Sequence, residues 1–228
     1  AAAGSSSITL GAATGSSAPI AAGDLVLVMQ MQDAAINASN NSQYGDGVSG
    51  AGSTNLNNSG IYEYATATSN VPLAGGTLTL TAAGPGGGLL YAYTSAAASA
   101  AQGARRFQVI RVPNYASATL TSGLTASAWN GATGGVLAFN VSGTLTLNGA
   151  TVSVSGLGFR GAAGLQLNGS ASGATNSDYL YTAPTTYTTA SAPVAGAQGS
   201  KGEGIAGTPG WIESGGTVIS SGQTYAEG

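Results

Sequence analysis

The sequence predicts an all-β fold in two parts. A small β-barrel or sandwich-like module spans residues 1–128, and a right-handed parallel β-helix-like region with long Gly/Ser/Asn-rich loops spans residues 129–228. Three observations predict it. Glu, Lys, Arg and Gln, which favour helices, are scarce, whereas Gly, Ser and Thr recur throughout. Several segments alternate apolar and polar residues with the period of two expected of a strand that buries one face. After Trp129, short apolar segments follow one another at even spacing, with Ser-Gly or Asn-Gly pairs between them.

The elements follow in order. Ile8-Thr9-Leu10 opens the strand pattern, and Asp24–Gln32 reads as a longer strand of mostly apolar residues. Residues 34–59 form a polar connector, too long for idle spacing in a compact domain. Two readings fit it: a binding or intersubunit loop, and a tolerated insertion. Ile61–Ala67 and Thr77–Thr81 alternate, and Arg106–Val112 does the same until Pro113 ends it. Ser95–Ala104 is alanine-rich and fits a short helix or a loop of small residues.

Beyond Trp129 come three candidate strands, Val136–Val141, Gly143–Leu147 and Ala150–Val154. Asn148-Gly149 is a turn signal, because both residues tolerate positive φ. An antiparallel meander and the successive faces of a parallel β-helix both fit. Even spacing and glycine corners favour the β-helix. From Gly156 onward loops dominate, and Gly216–Ser220 is the last strand candidate. The abrupt ends read as cuts within, or processing of, a longer precursor.

Composition narrows the function. The chain has 228 residues with 5 Lys+Arg, 8 Asp+Glu, no His and no Cys, and a charged fraction of 6%. Five cations cannot lay down the basic footprint of a nucleic-acid binder or a polybasic membrane patch. A hydrophobic fraction of 43% separates the chain from disordered sequences. No apolar run approaches the ~20 residues of a membrane-spanning helix. Without His or Cys, Ser-His-Asp and Cys-His catalysis and thiolate metal sites are closed.

Certain passages carry a resemblance. Gly23–Gln32 (GDLVLVMQMQ), Arg106–Pro113 (RFQVIRVP), Gly134–Ala138, Gly156–Gly161 (GLGFRG) and Gly199–Gly210 (GSKGEGIAGTPG) resemble segments of very large, Gly-rich bacterial surface proteins. In that group a small β-module with a Gly-Asp-hydrophobic strand precedes a Gly-rich β-helix-like region. The resemblance implies secretion, surface display, and adhesion or filament building. It implies no active-site residues.

Candidate chemistry is sparse. The carboxylates Asp24, Asp33, Asp46, Glu63, Asp178, Glu203, Glu213 and Glu227 form no local cluster, as a paired-carboxylate hydrolase would need. Asp24 fits a turn cap. Glu63 falls on the strand face opposite Tyr62 and Tyr64. Calcium, an oxygen-seeking cation, is the metal that fits best. Asp33 and Asp46 flank Asn37, Asn40 and Asn41, but a solvated loop fits those residues too.

Ser200 beside Lys201 is a poor nucleophile–base pair, since neighbouring side chains point apart. An isopeptide link from Lys201 would need Glu203 or Glu213 as helper. The ten tyrosines, with Trp129 and Trp211, offer a platform for glycan, although Trp129 and Phe139 also read as core. The sequons at Asn37, Asn40, Asn57, Asn140 and Asn168 follow from composition.

The expectation is a non-catalytic extracellular or cell-surface protein, without catalytic residues or organic cofactor. It is a homo-oligomeric or polymeric structural segment of a fibre, sheath or layer. An adhesin recognising glycan or another surface is the alternative, and a polysaccharide-active β-helix enzyme is the more distant one.

Overall fold

The computed structural model describes residues 1–37, 52–97, 103–161, 203–207, 211–214 and 217–220. Among these residues the secondary structure is β, apart from a 3-10 turn at Pro85–Gly87. The strands are β1 (Ser7–Leu10), β2 (Leu25–Gln32), β3 (Ala35–Asn37), β4 (Gly52–Asn55), β5 (Tyr62–Ala67), β6 (Gly76–Thr81), β7 (Arg106–Val112), β8 (Asn114–Tyr115), β9 (Ala118–Thr119), β10 (Asn140–Val141), β11 (Leu145–Thr146), β12 (Trp211–Ser214) and β13 (Thr217–Ser220). The described ends of the alanine-rich stretch, 95–97 and 103–104, are not helical. Its middle lies outside the described residues.

The chain forms two compact units. The first comprises Ala1–Met31, Gly60–Thr94 and Phe107–Gly158, and the second Gln32–Ser59, Ser95–Arg106 and Phe159–Gly228.

The first unit is built on a five-stranded sheet in the order β1-β6-β5-β2-β7, curled into an antiparallel half-barrel. Alternation decides which side chains fill it. Ile8, Val26, Val28, Ala65, Ala67, Leu78 and Leu80 are buried on its concave face. Phe107 and Val109 of β7 pack partly against the same cluster. On β5 the burial pattern is strictly alternating, with Glu63, Ala65 and Ala67 inside and Tyr62, Tyr64 and Thr66 outside. The loop following β6 adds Leu89 and Tyr93 to the same buried cluster.

The buried face of β2 is not apolar throughout. Val26, Val28, Gln30 and Gln32 are all fully buried, so the inward row changes from valine to amide halfway along the strand. Gln30 uses that amide as a strand would use its backbone. Its Nε2 donates to the Thr94 carbonyl and its Oε1 accepts from the Thr94 N–H, both at 2.8 Å. Glu63, paired with Val28 across the ladder, holds the same loop. Its carboxylate accepts the Leu90 N–H at 2.9 Å and the Tyr91 N–H at 3.1 Å.

Tyr93 lies beneath this loop, 1% exposed, with no partner in hydrogen-bond geometry at its hydroxyl. Burial, and then the nearby Glu63 charge, push its phenol well above the usual range. On β7, Gln108 repeats the two-point amide grip on Gly134, accepting its N–H at 2.9 Å and donating to its carbonyl at 3.1 Å.

Asp24 opens β2 with two tasks. Its carboxylate accepts the Ala21 N–H at 2.9 Å, as expected of a turn cap, and also receives Arg111 in a two-point pair at 2.6 and 3.2 Å. The Arg111 hydrogen bond holds the Asp24 carboxyl below the usual carboxylate value, against an opposing effect of burial.

The second half of the first unit pairs in parallel. β10 pairs with β8 and β11 with β9, and Leu124 bridges Val152. Side-chain contacts along this stack join residues 26, 27 and 28 positions apart. The three candidate strands beyond Trp129 therefore do not form a meander. They shrink to Asn140–Val141, Leu145–Thr146 and the bridge at Val152, each lying on the segment before Trp129. The Asn148-Gly149 turn is present, with φ of 50° and 77° and an Ala150 N–H to Leu147 carbonyl bond of 2.8 Å.

A right-handed parallel β-helix across 129–228 is not seen in the described residues. The parallel contacts are short and involve residues 114–124, upstream of the expected boundary. Trp129 is core as expected, at 3% exposure. Phe139 is partly buried.

In the second unit, β3 pairs antiparallel with β4 through a bulge after Ala35, and β12 pairs antiparallel with β13. The final strand expected at Gly216–Ser220 is the β13 segment.

Two expected outcomes follow from the pinned loop and the Asp24 pair. Gln30→Met keeps the volume but strands both backbone groups of Thr94. It should lower unfolding stability by about 2–4 kcal/mol in urea titration. Asp24 has a folded pKa below its ordinary value of 3.8, so its contribution is present above about pH 4 and is lost as pH falls through the folded value. Stability curves of the native protein and Asp24→Asn should therefore differ at pH 6 and converge towards about pH 2. Curves that stay parallel across that range would show that the pair does not contribute.

Candidate functional site

Charged side chains are so few that each buried one marks a place where the fold commits itself. A polar cluster among the described residues of the second unit is built around Glu203–Gly207, the Glu-Gly-Ile-Ala-Gly of the glycine-spaced passage. Gly204 and Gly207 exchange backbone hydrogen bonds of 3.2 and 3.1 Å, which folds the segment into a tight turn. Its carbonyls point outward to partners. The Gly204 carbonyl accepts Gln32 Nε2 at 3.0 Å. The Ile205 carbonyl accepts the N–H groups of Asp33 and Ala34 at 2.9 and 3.0 Å and the Ser59 hydroxyl at 3.3 Å.

Gly103 lies against the same turn. A Cβ there would stand 1.7 Å from the Ala206 carbonyl oxygen, so a side chain is sterically forbidden unless backbone moves.

Arg160 and Glu203 lock the turn from the other side. Arg160 Nε and Nη2 donate to the two Glu203 oxygens at 2.6 and 2.7 Å, in the fork geometry that guanidinium and carboxylate share. The Arg160 N–H also donates to the carboxylate at 2.9 Å, and the Glu203 N–H donates to the Arg160 carbonyl at 2.8 Å. The Glu203 side chain is completely buried and that of Arg160 is 23% exposed. The Glu203 hydrogen bond raises the Arg160 pKa further above its already high value.

Asp33, the residue expected to share a calcium ion with Asp46, belongs to this cluster. It is buried, and its Oδ2 accepts the Asn58 N–H at 3.1 Å. Its N–H is shared with the Ser59 hydroxyl at 2.8 Å, and its carbonyl accepts Asn57 Nδ2 at 2.8 Å. Asn57 has φ of 46° and its N–H reaches the Asn55 amide oxygen at 2.8 Å. These contacts wrap residues 55–59 around Asp33. Asp46 lies outside the described residues, as do Asn40 and Asn41. Among the described residues no three His, Cys, Asp or Glu groups come together to hold a metal ion.

The other candidates fall as follows. Asp24, Asp33, Glu63 and Glu203 each accept hydrogen bonds from backbone N–H groups or arginine. Asp178, Glu227, Ser200 and Lys201 lie outside the described residues. Tyr62 and Tyr64 stand 56% and 48% exposed on the convex sheet face, with ring centroids 6.4 Å apart and ring planes at 86°.

Sequence reasoning missed the Arg160–Glu203 clamp and the three gripping glutamines. The available signal was rarity: an arginine set between Phe159 and Gly161, and a glutamate between Gly202 and Gly204, in a chain with five cations.

If the clamp is structural, Arg160→Met should destabilise by about 3–5 kcal/mol, because it leaves the Glu203 charge buried without its partner. The double change Arg160→Met with Glu203→Leu should recover much of that loss in the same denaturant titration. Equal losses in the single and double variants would refute a charge-pairing role.

Comparison with protein-family models, characterised proteins and solved structures found no match to the chain.

Proposed function

We propose that the chain is a non-catalytic, extracellular structural segment that assembles with copies of itself into a surface fibre, sheath or layer. The observation that carries this reading is the parallel stack of the first unit. Residues 140–157 lie on residues 113–129, joined through contacts 26 to 28 positions apart. That arrangement supports one turn of a β-helix-like coil stacked on the next, a geometry that extends by repetition and leaves unpaired ends unless it is capped. A charged fraction of 6% weakens the repulsion that would keep copies apart. The non-catalytic part of the proposal is supported by the use of Asp24, Asp33, Glu63 and Glu203 as hydrogen-bond acceptors for backbone and arginine.

A second reading is favoured by one specific feature. The exposed Tyr62 and Tyr64, neighbours on one face of β5, offer ring surface and hydroxyls to a glycan or to another surface.

The two readings separate on assembly. Purified protein, raised in concentration and examined by electron microscopy and sedimentation velocity, should form ordered polymers. A persistent monomer that binds defined glycans on an array, and loses that binding in Tyr62→Ala/Tyr64→Ala, would replace the structural reading with the adhesin.

A further inference from the structure

Among the described residues the parallel stack leaves one edge open. Along residues 140–153, the backbone groups that bond downward belong to alternate positions: the N–H groups of Asn140, Ser142 and Ser153 and the carbonyls of Thr144, Thr146 and Thr151 reach residues 113–124. The intervening residues turn their backbone the other way. Leu145, Leu147, Val152 and Val154 are among them, and their N–H groups have no hydrogen-bond partner.

The same four side chains are 37%, 48%, 42% and 41% exposed. One layer below, Leu120 is 9% exposed and Ala118 and Leu124 are partly buried. The upper layer has the apolar composition of a core row and the exposure of a surface.

Natural sheets protect such edges with charge, proline or a polar cap. Among the described residues none covers this edge. From Asn114 to Phe159 the sequence contains no Lys, Arg, Asp, Glu or Pro. In the layer below, each ladder has two strands among the described residues, and the backbones of Asn114 and Thr119 face away from their partners.

We infer that the free edge of residues 140–154 is the docking surface for a second copy of this chain. It receives the free edge of that copy's residues 114–124 in parallel, and so continues the step already made within the chain. This rests on the structural reading above and names its interface. The occupant is argued from continuity: segment 114–124 already pairs with 140–152 in this register, matching Ala118 to Leu145 and bridging Leu124 to Val152. An edge of one kind receiving an edge of another is a heterologous contact, which generates open filaments where the rotation does not close.

The test uses the full chain, Leu145→Lys/Val152→Lys, and Thr77→Lys as a control for added charge on an exposed site. Circular dichroism first establishes that each is folded. The critical concentration for polymer formation should rise about tenfold or more in the double variant and stay near the native value in the control. Hydrogen exchange on native protein gives a second, mutation-free readout. The amides of Leu145, Leu147, Val152 and Val154 should exchange freely in dilute monomer and become protected on assembly.

A native protein that polymerises while the double variant polymerises equally well would overturn this interface and leave the structural reading standing. Protection of those amides in a monodisperse monomer would overturn it too, by showing that the chain covers its own edge. A native protein that never assembles would remove both the interface and the reading beneath it.

Discussion

The constraint on which the fold depends is the need to satisfy backbone polar groups in a chain with few charges and, among its described residues, no helix beyond one 3-10 turn. A helix satisfies its own backbone, and a wide sheet satisfies most of it. Here much of the chain is neither, so buried side chains complete the hydrogen bonding. Gln30 and Gln108 behave as detached strand residues, each offering one donor and one acceptor to one backbone position. Glu63 gathers two consecutive N–H groups, as an anion does in a turn. Because each grip is buried, water cannot substitute for it, and the loop it holds becomes part of the core rather than a covering. The 84–94 loop illustrates this: Leu89 and Tyr93 can enter the half-barrel because Glu63 and Gln30 fix the backbone between and beyond them.

The second unit applies the same logic around a turn instead of a sheet. Glu203–Gly207 is short and glycine-rich, and would have little conformational preference alone. It is held by one buried ion pair, one glutamine amide and a carbonyl that serves several donors. The Arg160–Glu203 pair is valuable here less for stability than for registration. A buried pair of this kind contributes little net free energy against an apolar substitute, but it is intolerant of misplacement. In a sequence where most residues are Ala, Gly, Ser or Thr, and where many alternative packings would be of similar energy, such a pair selects one arrangement.

Legibility in the sequence followed the same division. β1, β2, β5, β6 and β7 were readable because alternation is a local property, and Leu78 and Leu80 between threonines announce their buried face. The inward placement of Glu63, opposite Tyr62 and Tyr64, was readable for the same reason. What Glu63 does there was not, since its partners Leu90 and Tyr91 come from a distant loop. Gln30 and Gln32 lie in a run that scores as apolar, and nothing local says that an amide will be buried to grip Thr94 or Gly204. The partners of the parallel contacts, at residues 114–124, were missed because β8 and β9 are two residues each, too short for any periodicity, and become strands through their partners. Asp33 was singled out for its charge, and its contacts with Asn57, Asn58 and Ser59 were not readable because those partners come from a distant stretch of chain.

The proposed assembly draws its force from a contrast within one molecule. Among the described residues, the 84–94 loop and the 203–207 turn are held by buried glutamine, glutamate or arginine side chains. Along residues 140–154 the chain supplies none, although the same layer carries four exposed aliphatic side chains and a row of outward N–H groups. Residues 114–159 contain no charged residue and no proline. An edge without charge or proline is unfavourable for a protein that must remain monomeric and suitable for one that must pair. The uncharged stretch and the open backbone ladder coincide, and pairing with the 114–124 edge of another copy would satisfy the hydrogen-bonding groups and the apolar side chains of the layer together.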